Sequence, residues 1–335
     1  MKRAAILYNP TAGSGRALAM SDKARSILTS QGWSVEQVAT RRPGDAEALS
    51  RNRAAAIDLL VVAGGDGTLR EAMAGLGPES RRVPVAFLPC GNANVVAREL
   101  GIPCRSEDAL EVLRSGTPTP IDLGRVDSEL FLAMVGVGWD ARTVRYLGRL
   151  RRTRLGARWY RLWADSAYLV AGFAAVFTWP PGRVRLQVDD RATGRGYCAV
   201  HIANFRCYGK GWTMVPAAHR ASGRLHYQAR KRAGPLFILW QFLAAVLRRR
   251  TSSFLSDHGD GTRIVVHAER PFAVQVDGDE RSPVTRLEIE IEPGTASILA
   301  PAAQSPPPGA AETASTASMT RSRFSPSTLR TVSGE

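Results

Sequence analysis

The stretch DLLVVAGGDGT, residues 58–68, joins a short apolar run to a turn rich in glycine. Residues 59–63 carry only aliphatic side chains, which is typical of a strand buried on both faces of a parallel sheet. The glycines at 64, 65 and 67 allow the backbone to turn tightly and to approach a ligand closely. A helix is predicted to follow from about residue 69, and its N-terminal N–H groups would face that ligand. The stretch therefore predicts an anion site.

The first part of the chain alternates between apolar runs and stretches with helical periodicity, the pattern of βα units on a parallel sheet. Strands are predicted at 4–8, 34–39, 59–63 and 83–88, and helices at 16–30, 45–55, 68–76 and 93–100. We therefore predict an α/β domain at residues 1–122, with a Rossmann-like parallel sheet.

After about residue 121 the pattern changes to the period-two alternation of antiparallel strands. Strands are predicted at 130–137, 184–189, 197–203, 263–268, 272–276 and 286–291, and helices at about 140–177 and 235–250. This pattern predicts a β-rich domain at residues 123–300, dominated by antiparallel sheet, whose last strand is a candidate to return to the first domain. Residues 301–335 are rich in Pro, Ser, Thr and Ala, and we predict a disordered tail there.

The composition narrows the class of protein. A net charge of +15 attracts polyanions such as nucleic acid, anionic phospholipid surfaces or nucleotide phosphates, and it does not choose among them. The four cysteines, at 90, 104, 198 and 207, lack the close spacing of a zinc site and favour a reducing compartment. No secretory signal is visible, and the longest apolar runs, 166–179 and 235–247, are shorter than the ~20 residues that cross a bilayer. We expect a cytoplasmic protein, with a peripheral position on the inner membrane surface left open.

Two further loops of small residues follow predicted strands. Residues 9–15 (NPTAGSG) come after the first strand, and residues 89–94 (PCGNAN) come after the strand at 83–88. Because open α/β sheets bind ligands at the carboxyl ends of their strands, these loops should converge with the GGDGT turn along one edge. The combination is neither GxxxxGK[ST] nor GxGxxG, so the P-loop and the dinucleotide fingerprint are not matched.

These motifs, in this order, resemble those of the diacylglycerol kinase catalytic-domain family, which includes sphingosine kinases and bacterial lipid kinases. The resemblance extends to Thr40 with Gly44-Asp45-Ala46, to Asp122-Leu123-Gly124, to residues 136–141 (GVGWDA) and to residues 276–279 (VDGD). It covers about residues 1–300. It implies that the α/β domain at residues 1–122 binds the nucleotide and that residues 123–300 form a sandwich-like substrate domain. The resemblance implies an ATP-dependent lipid kinase that transfers the γ-phosphoryl group to a lipid hydroxyl, with a lipid substrate at an anionic membrane surface.

The resemblance also implies which residues hold ATP, with Mg²⁺ accompanying the phosphates. They are Asn9, Pro10, Thr11, Ala12, Gly13, Thr40, Gly64, Gly65, Asp66, Gly67, Thr68, Leu69, Arg70, Gly91, Asn92 and Asn94. Asn92 stands where the family has threonine and keeps a side chain that can form hydrogen bonds. Val95 stands where the family has aspartate, so that carboxylate is lost.

In the family a late D-G-E supplies the carboxylate that accepts the proton of the hydroxyl. Asp279 takes the glutamate position here, and Asp277 precedes it by two residues. Alternation along a strand would put both acids on one side. The resemblance therefore implies Asp279 as general base, with Asp277 assisting or replacing it, and Asp66 as an acid of the nucleotide and metal site. D-G-D is also common turn chemistry, so an exposed acidic turn is the alternative.

One family feature is missing. Members often carry P-x-A-x-x-x-D-D-G-x-L-D, whose acids help to bind a structural Mg²⁺, whereas residues 216–226 read PAAHRASGRLH. Ala221, Ser222 and His226 replace those acids, and hard cations need charged oxygen ligands, so we predict no structural metal site. We interpret His219 and His226 as surface residues.

A basic segment at residues 141–164 indicates a membrane surface. It contains eight arginines and no acid: Arg142, Arg145, Arg149, Arg151, Arg152, Arg154, Arg158 and Arg161. Aromatic side chains are interspersed and an apolar run follows, a combination that suits an anionic lipid interface. A second candidate is the stretch 235–247 with the arginines 248–250. A solvated helix face and a core helix with a basic cap remain alternatives, and no recognisable nucleic-acid module is present.

Two other functions stay open. An NAD kinase-like enzyme shares GGDG on a similar sheet, although the NPTAG and GNAN loops and the position of DGD favour the lipid branch. A non-catalytic nucleotide-binding regulator would fit the shortened acid at Asp279 and the acids lost near Ser222. The identity of the lipid and the oligomeric state cannot be read from the sequence.

Overall fold

The computed structural model describes residues 1–104, 106–162, 164–177, 182–209, 211–232, 234 and 256–302. The helices are α1 (Arg16–Ser30), α2 (Asp45–Arg51), α3 (Asp66–Leu76), α4 (Val95–Glu99), α5 (Ser106–Ser115), α6 (Trp139–Arg152), α7 (Arg154–Leu162) and α8 (Ala164–Phe177). The strands are β1 (Arg3–Tyr8), β2 (Ser34–Ala39), β3 (Leu59–Gly64), β4 (Val85–Pro89), β5 (Thr117–Val126), β6 (Glu129–Phe131), β7 (Met134–Val137), β8 (Val184–Val188), β9 (Arg191–Tyr197), β10 (Ala199–Ala203), β11 (Cys207–Tyr208), β12 (Trp212–Thr213), β13 (Leu225–Arg230), β14 (Ser256–Gly261), β15 (Arg263–Val276) and β16 (Asp279–Ala300).

The first four strands form a parallel sheet in the order β4-β3-β1-β2. Every residue of β3 is buried, as expected for an aliphatic run covered on both faces. Helix α3 begins at Asp66, two to three residues before the predicted start at 68–69, because Gly65 is extended and serves as its N-cap. Helix α2 ends at Arg51 rather than at 55, where a 3₁₀ turn takes over at 54–56.

Strand β16 joins the two halves of the chain into one sheet. Over its 22 residues it pairs antiparallel with β15 and β5, and Ile298 pairs in parallel with Val85 of β4. The pairing with β5 shifts between Glu292 and Ala296, next to Gly294 with a φ of 58°. The first residue of β16 is Asp279, so this strand places the D-G-D turn relative to the first sheet. Strand β5 runs across the predicted boundary at residue 122, and the domain division stays a prediction.

The second half is a β-rich assembly, which confirms the predicted fold class of a parallel α/β sheet followed by β structure. The sheet order there is β14-β13-β10-β7-β15. One face packs an apolar core that includes Val135, Val200 and Val274. On the opposite face, Gln228, His201, Gly136 and Gln275 lie in one row across β13, β10, β7 and β15.

Several predicted elements differ from the observed ones. The predicted strands 263–268 and 272–276 are one strand, β15, with a register shift between His267 and Phe272. The long predicted helix at 140–177 is three helices, α6 to α8. Strands β13 and β14 were not predicted. Among the described residues, no helix is both long and apolar enough to span a bilayer. The predicted helix at 235–250 and nearly all of the predicted tail lie outside the described residues.

Candidate functional site

The loops after β1 and β4 meet through the backbone. Gly13 has a φ of 61°, and a Cβ atom at this position would lie 2.6 Å from the carbonyl oxygen of Cys90. Asn9 shapes the start of the loop, since its Oδ1 accepts hydrogen bonds from the Thr11 N–H at 3.0 Å and the Thr11 hydroxyl at 2.8 Å. A glycine at 13 is therefore required both by the backbone angle and by the close approach of the second loop.

The GGDGT turn meets the same loop after β4. A Cβ atom on Gly91 would lie 2.8 Å from the Cα atom of Gly65. A Cβ atom on Gly64 would lie 2.8 Å from Cβ of Thr68, so the first turn of α3 packs directly on the end of β3. The three small-residue loops thus converge at one edge of the sheet. We call this edge, formed by residues 9–15, 64–68 and 89–94, the nucleotide edge, because the sequence resemblance implies that ATP binds there.

Asp66 is the acid at this edge. Its Oδ1 accepts a hydrogen bond from the Val96 N–H at 3.1 Å, which ties the GGDGT turn to the start of α4. Burial raises the pKa of the Asp66 carboxyl above its usual range; the N–H groups of Val96 and Val95 oppose the rise, and the charge of Asp277 adds to it. The acid of the first domain and an acid of the D-G-D turn are therefore electrostatic neighbours.

The other residues implied for ATP differ in exposure. Asn92, Pro10, Thr11 and Gly67 are exposed at the nucleotide edge, and Ala12 and Arg70 are half-buried. Leu69 is fully buried in the core behind the edge, so only its backbone can face a ligand. Thr40 is buried and its N–H donates to the Tyr8 carbonyl at 2.9 Å.

Asn94 is the most confined side chain of the third loop. It is 4% exposed, and its Nδ2 donates to the Gly91 carbonyl at 3.0 Å. Its Oδ1 is buried without a hydrogen-bond partner. With a φ of 48°, Asn94 also sets the left-handed turn that precedes α4. Its position indicates a role in shaping the loop.

The D-G-D segment is a tight hairpin turn rather than a continuous strand. Val276 pairs with Asp279, and Asp277 and Gly278 between them have φ values of 50° and 87°. Positive φ at both central residues is the requirement of the favoured two-residue hairpin turn, and Asp-Gly is a preferred sequence for it. The prediction that strand alternation puts Asp277 and Asp279 on one side was therefore wrong, because Asp277 lies in the turn itself.

The Asp277 carboxylate holds the backbone before β7. Its Oδ2 accepts from the Leu132 N–H at 2.7 Å, and its Oδ1 accepts from the N–H groups of Ala133 at 2.8 Å and Met134 at 3.0 Å. Burial raises the pKa of the Asp277 carboxyl, and these N–H groups together with Arg70 oppose the rise. Backbone N–H groups thus donate to both oxygens of the Asp277 carboxylate.

Arg70 connects the two acidic regions. It lies on α3, one turn after Asp66, and its Nη2 is 2.7 Å from Oδ2 of Asp279. Its Nη1 donates to the Val276 carbonyl at 3.3 Å. The Arg70 side chain is 12% exposed, whereas that of Asp279 is 58% exposed. Helix α3, which begins in the GGDGT turn, therefore binds the D-G-D turn through Arg70.

A cleft of about 680 Å³ opens beside Asp279. One wall is α6, with Arg145, Arg151 and Arg152, and the other is the start of β16. Arg145 bridges the two walls, with its Nε 3.2 Å from Oε1 of Glu280. An acceptor molecule in this cleft would meet Asp279 on one side and arginines on the other.

Three contacts of this site are not predicted by the sequence motifs. The motifs place Arg70 only in an ATP loop, although the arginine is the bridge to Asp279. They assign no role to the N–H groups of residues 132–134. They also give no role to Gln275, which contacts the D-G-D turn. No local motif marks these residues, because each contact joins the turn to a residue outside the motif.

The segment at 216–226 is held by Asp122 of the DLG motif. Oδ2 of Asp122 accepts from the Gly223 N–H and Oδ1 from the Gly294 N–H, both at 2.7 Å. Within the described ranges, no group of three or more His, Cys, Asp or Glu side chains is arranged to hold a metal ion. His219 is exposed, and the Nε2 of His226 lies 3.4 Å from the Ser222 hydroxyl.

Comparisons with known proteins agree with this architecture. Residues 3–126 match the diacylglycerol kinase catalytic domain, and residues 133–300 match the YegS C-terminal NAD kinase beta sandwich-like domain. The crystal structure of a diacylglycerol kinase from Bacillus anthracis strain Sterne has a TM-score of 0.68 at 20% identity, over 90% of this chain and 97% of that chain. This likeness shows the shared fold.

Sequence relatives carry kinase names. A diacylglycerol kinase from Bacillus subtilis strain 168 is 32% identical over 197 residues, which are 57% of this chain and 61% of the relative. A "Probable lipid kinase YegS-like" from Pseudomonas putida is 32% identical over 211 residues, which are 62% of this chain and 68% of the relative. The match to the B. subtilis protein thus spans less than two thirds of that protein's length. The matched domains and relatives confirm the resemblance inferred from the motifs: the chain belongs to the diacylglycerol kinase catalytic-domain family.

Proposed function

We propose that the protein is an ATP-dependent lipid kinase that transfers the γ-phosphoryl group of ATP to a lipid hydroxyl. The observation that carries this proposal is the contact of Arg70 with Asp279 at 2.7 Å, since it joins α3, the helix that begins at the nucleotide edge, to an exposed acid of the other half of the chain. The glycine-lined loops of that edge leave room for phosphates. Mg²⁺ would neutralise the phosphate charge, and Asp66 is the acid at that edge that could face it.

In the proposed reaction, the Asp279 carboxylate accepts the proton of the acceptor hydroxyl while the hydroxyl oxygen forms a bond to the γ-phosphorus. The bond between that phosphorus and the bridging oxygen breaks, and ADP leaves. Asp279 is better suited to this role than Asp277 because its side chain is largely exposed and faces a cleft. Asp277 supports the turn instead, through its backbone contacts.

The test is a phosphorylation assay with labelled ATP and purified protein. The acceptors are dispersed diacylglycerol, a sphingoid base, a long-chain alcohol and, separately, NAD. We expect label in a lipid and none in NAD, and an Asp279→Asn variant should lose most of the lipid signal while still binding ATP. Label in NAD alone would support the NAD kinase-like alternative, and ATP binding without any product would support the regulator.

We also propose that the basic segment docks on an anionic membrane surface. Arg149, Arg151, Arg152, Arg154 and Arg158 are all exposed on α6 and α7. Leu155 is 83% exposed among them, and Val170 and Phe173 on α8 are 51% and 55% exposed. Exposed apolar side chains beside arginines suit a bilayer interface. Trp163 and the second candidate segment, 235–250, lie outside the described residues.

Vesicle sedimentation tests the docking proposal. Replacing Arg149, Arg151, Arg152 and Arg154 by Gln should weaken binding to vesicles rich in phosphatidylglycerol at low salt, because each arginine contributes about 1 kcal/mol near such a surface. The matched control replaces four exposed arginines elsewhere, Arg3, Arg25, Arg81 and Arg191. Equal loss in both variants would point to net charge alone, and no loss in the first would refute the docking surface.

A further inference from the structure

A buried network of hydrogen-bonded side chains ends at the turn that precedes Asp279. Gln275 is fully buried on β15 and uses both ends of its amide. Its Nε2 donates to Oδ2 of Asp140 at 2.7 Å, and its Oε1 accepts from the Gly278 N–H at 2.7 Å. The second oxygen of Asp140 accepts from the Tyr208 hydroxyl at 2.7 Å. This network therefore runs from Tyr208 through Asp140 of α6 and Gln275 to the centre of the D-G-D turn.

One glycine of the backbone leaves room for this network. A Cβ atom on Gly136 would lie 2.2 Å from Oδ2 of Asp140 and 2.6 Å from Nε2 of Gln275. Neither atom belongs to the freely rotating end of a surface side chain, because Asp140 and Gln275 are 2% and 0% exposed. Gly136 of the GVGWDA stretch therefore has a structural role, since it leaves space for the hydrogen bond that the aspartate of the same stretch accepts.

The turn depends on this contact for its shape. In a two-residue hairpin turn, the N–H of the second central residue points away from the ladder and finds its partner outside it. The Gln275 carboxamide oxygen supplies that partner for Gly278. Asp277, the other central residue, is held by the backbone of residues 132–134. Both central residues are fixed, and Asp279 follows directly.

We propose that Gln275, itself held by Asp140, is a positioning residue for phosphoryl transfer: it fixes the turn so that Asp279 faces the nucleotide edge. This inference rests on the proposed kinase function. Gln275 does not touch the reacting atoms and acts through Gly278. The polar groups around Asp140 are Tyr208, Gln275, His201, whose Nε2 is 3.9 Å away, and the buried Arg230.

The first test replaces Gln275 by Met, which keeps the size and removes both hydrogen bonds. We expect kcat for lipid phosphorylation to fall about 100-fold, the effect of misplacing a catalytic group by about 1 Å. The KM for ATP should stay within about threefold, because the nucleotide edge is untouched. Hydrogen exchange at the Gly278 amide should become faster, and this readout does not need activity.

The matched control is Gln228→Met. Gln228 is 2% exposed and lies in the same row of the same sheet, aligned with His201 across β13 and β10. The substitution removes a buried carboxamide of the same size from β13, which β10 and β7 separate from β15 and its turn. We expect wild-type kcat and wild-type exchange at Gly278 in this variant.

A second variant, Gln275→Glu, gives a signature that a general loss of packing would not produce. One glutamate oxygen can still accept from Gly278, but the other faces the Asp140 carboxylate, and two carboxylates form that bond only when they share a proton. Acid pH supplies the proton. The ratio of variant to wild-type kcat should therefore be highest at low pH and fall as the pH rises, whereas Gln275→Met should show a constant ratio.

Wild-type kcat or unchanged Gly278 exchange in Gln275→Met would overturn the inference, as would a flat ratio in Gln275→Glu. If Gln275→Met does not fold, the pH dependence of Gln275→Glu decides. A wild-type protein without lipid kinase activity would refute the proposed function instead. In that case Gly278 exchange in the three variants still shows whether Gln275 holds the turn.

Discussion

At the nucleotide edge the loops contact one another through backbone atoms, whereas the D-G-D turn is held mainly by contacts of side chains. Gly13 approaches the Cys90 carbonyl, and Gly91 approaches Gly65, with no room for a Cβ atom at Gly13 or Gly91. At the turn, Asp277 binds three N–H groups, and Arg70 binds Asp279. The first region needs small residues, and the second needs charged side chains.

This difference suggests a division of labour. Backbone N–H groups are kept in every substitution except one by proline, and they suit the binding of a phosphate chain that is common to all ATP-dependent reactions. Carboxylates can accept a proton, and they suit the acceptor side, where the chemistry takes place. Helix α3 links the two regions, since it carries Asp66 at its start and Arg70 one turn later.

The largest expected effect is that of Asp66→Ala. Asp66 is the acid of the nucleotide edge, and it also ties the GGDGT turn to α4 through Val96. We expect turnover to fall about 1,000-fold, the order of effect seen when a group that stabilises transition-state charge is removed. Steady-state kinetics with a lipid acceptor measures this. Asp108→Ala is the control, because Asp108 is an exposed acid in the first turn of α5. A similar loss in both variants would contradict a specific role.

Asp279→Asn should have the next largest effect. Asparagine keeps the size and accepts no proton at neutral pH, so we expect kcat to fall about 100-fold or more with an unchanged Kd for ATP. Asp279→Glu restores the acid that the family carries and should keep most of the activity. Glu280→Gln is the control, since Glu280 lies on the same wall of the cleft and pairs with Arg145. Full activity in Asp279→Asn would move the base elsewhere.

The contrast also explains what the sequence could predict. The buried run at 59–63 and the glycine-rich loops are local patterns, and they were sufficient to predict the parallel sheet and the convergence of the loops at one edge. ATP binding at this edge stays a prediction. The surroundings of Asp279 depend on contacts between segments that are distant in sequence. Nothing near Asp279 in sequence indicates Arg70, which is 209 residues away. The D-G-D motif predicted both a catalytic strand and a turn, and the positive φ of Asp277 decided for the turn.

Asp277→Ala should mainly reduce stability. It leaves the N–H groups of residues 132–134 without their acceptor, and an unpaired buried donor costs about 1–3 kcal/mol. We expect the free energy of unfolding in urea to fall by about 2 kcal/mol or more. Asp127→Ala is the matched control: Asp127 also has a positive φ, 51°, but it is exposed and accepts from one N–H, that of Glu288. Equal losses would assign the effect to backbone strain alone.

The smallest effect separates a glycine required by the fold from one required by the ligand. A Cβ atom on Gly91 would clash with Gly65, whereas a Cβ atom on Gly67 would meet nothing within 4 Å. Gly91→Ala should therefore lower the free energy of unfolding and raise the KM for ATP together. Gly67→Ala lies in the first turn of α3, where alanine favours the helix by up to about 1 kcal/mol, so stability should not fall. Its KM for ATP should still rise several-fold, because the added methyl group would occupy space at the edge where we propose the phosphates bind. An unchanged KM in Gly67→Ala would remove Gly67 from the proposed ATP site and leave Gly91 as a residue of the fold.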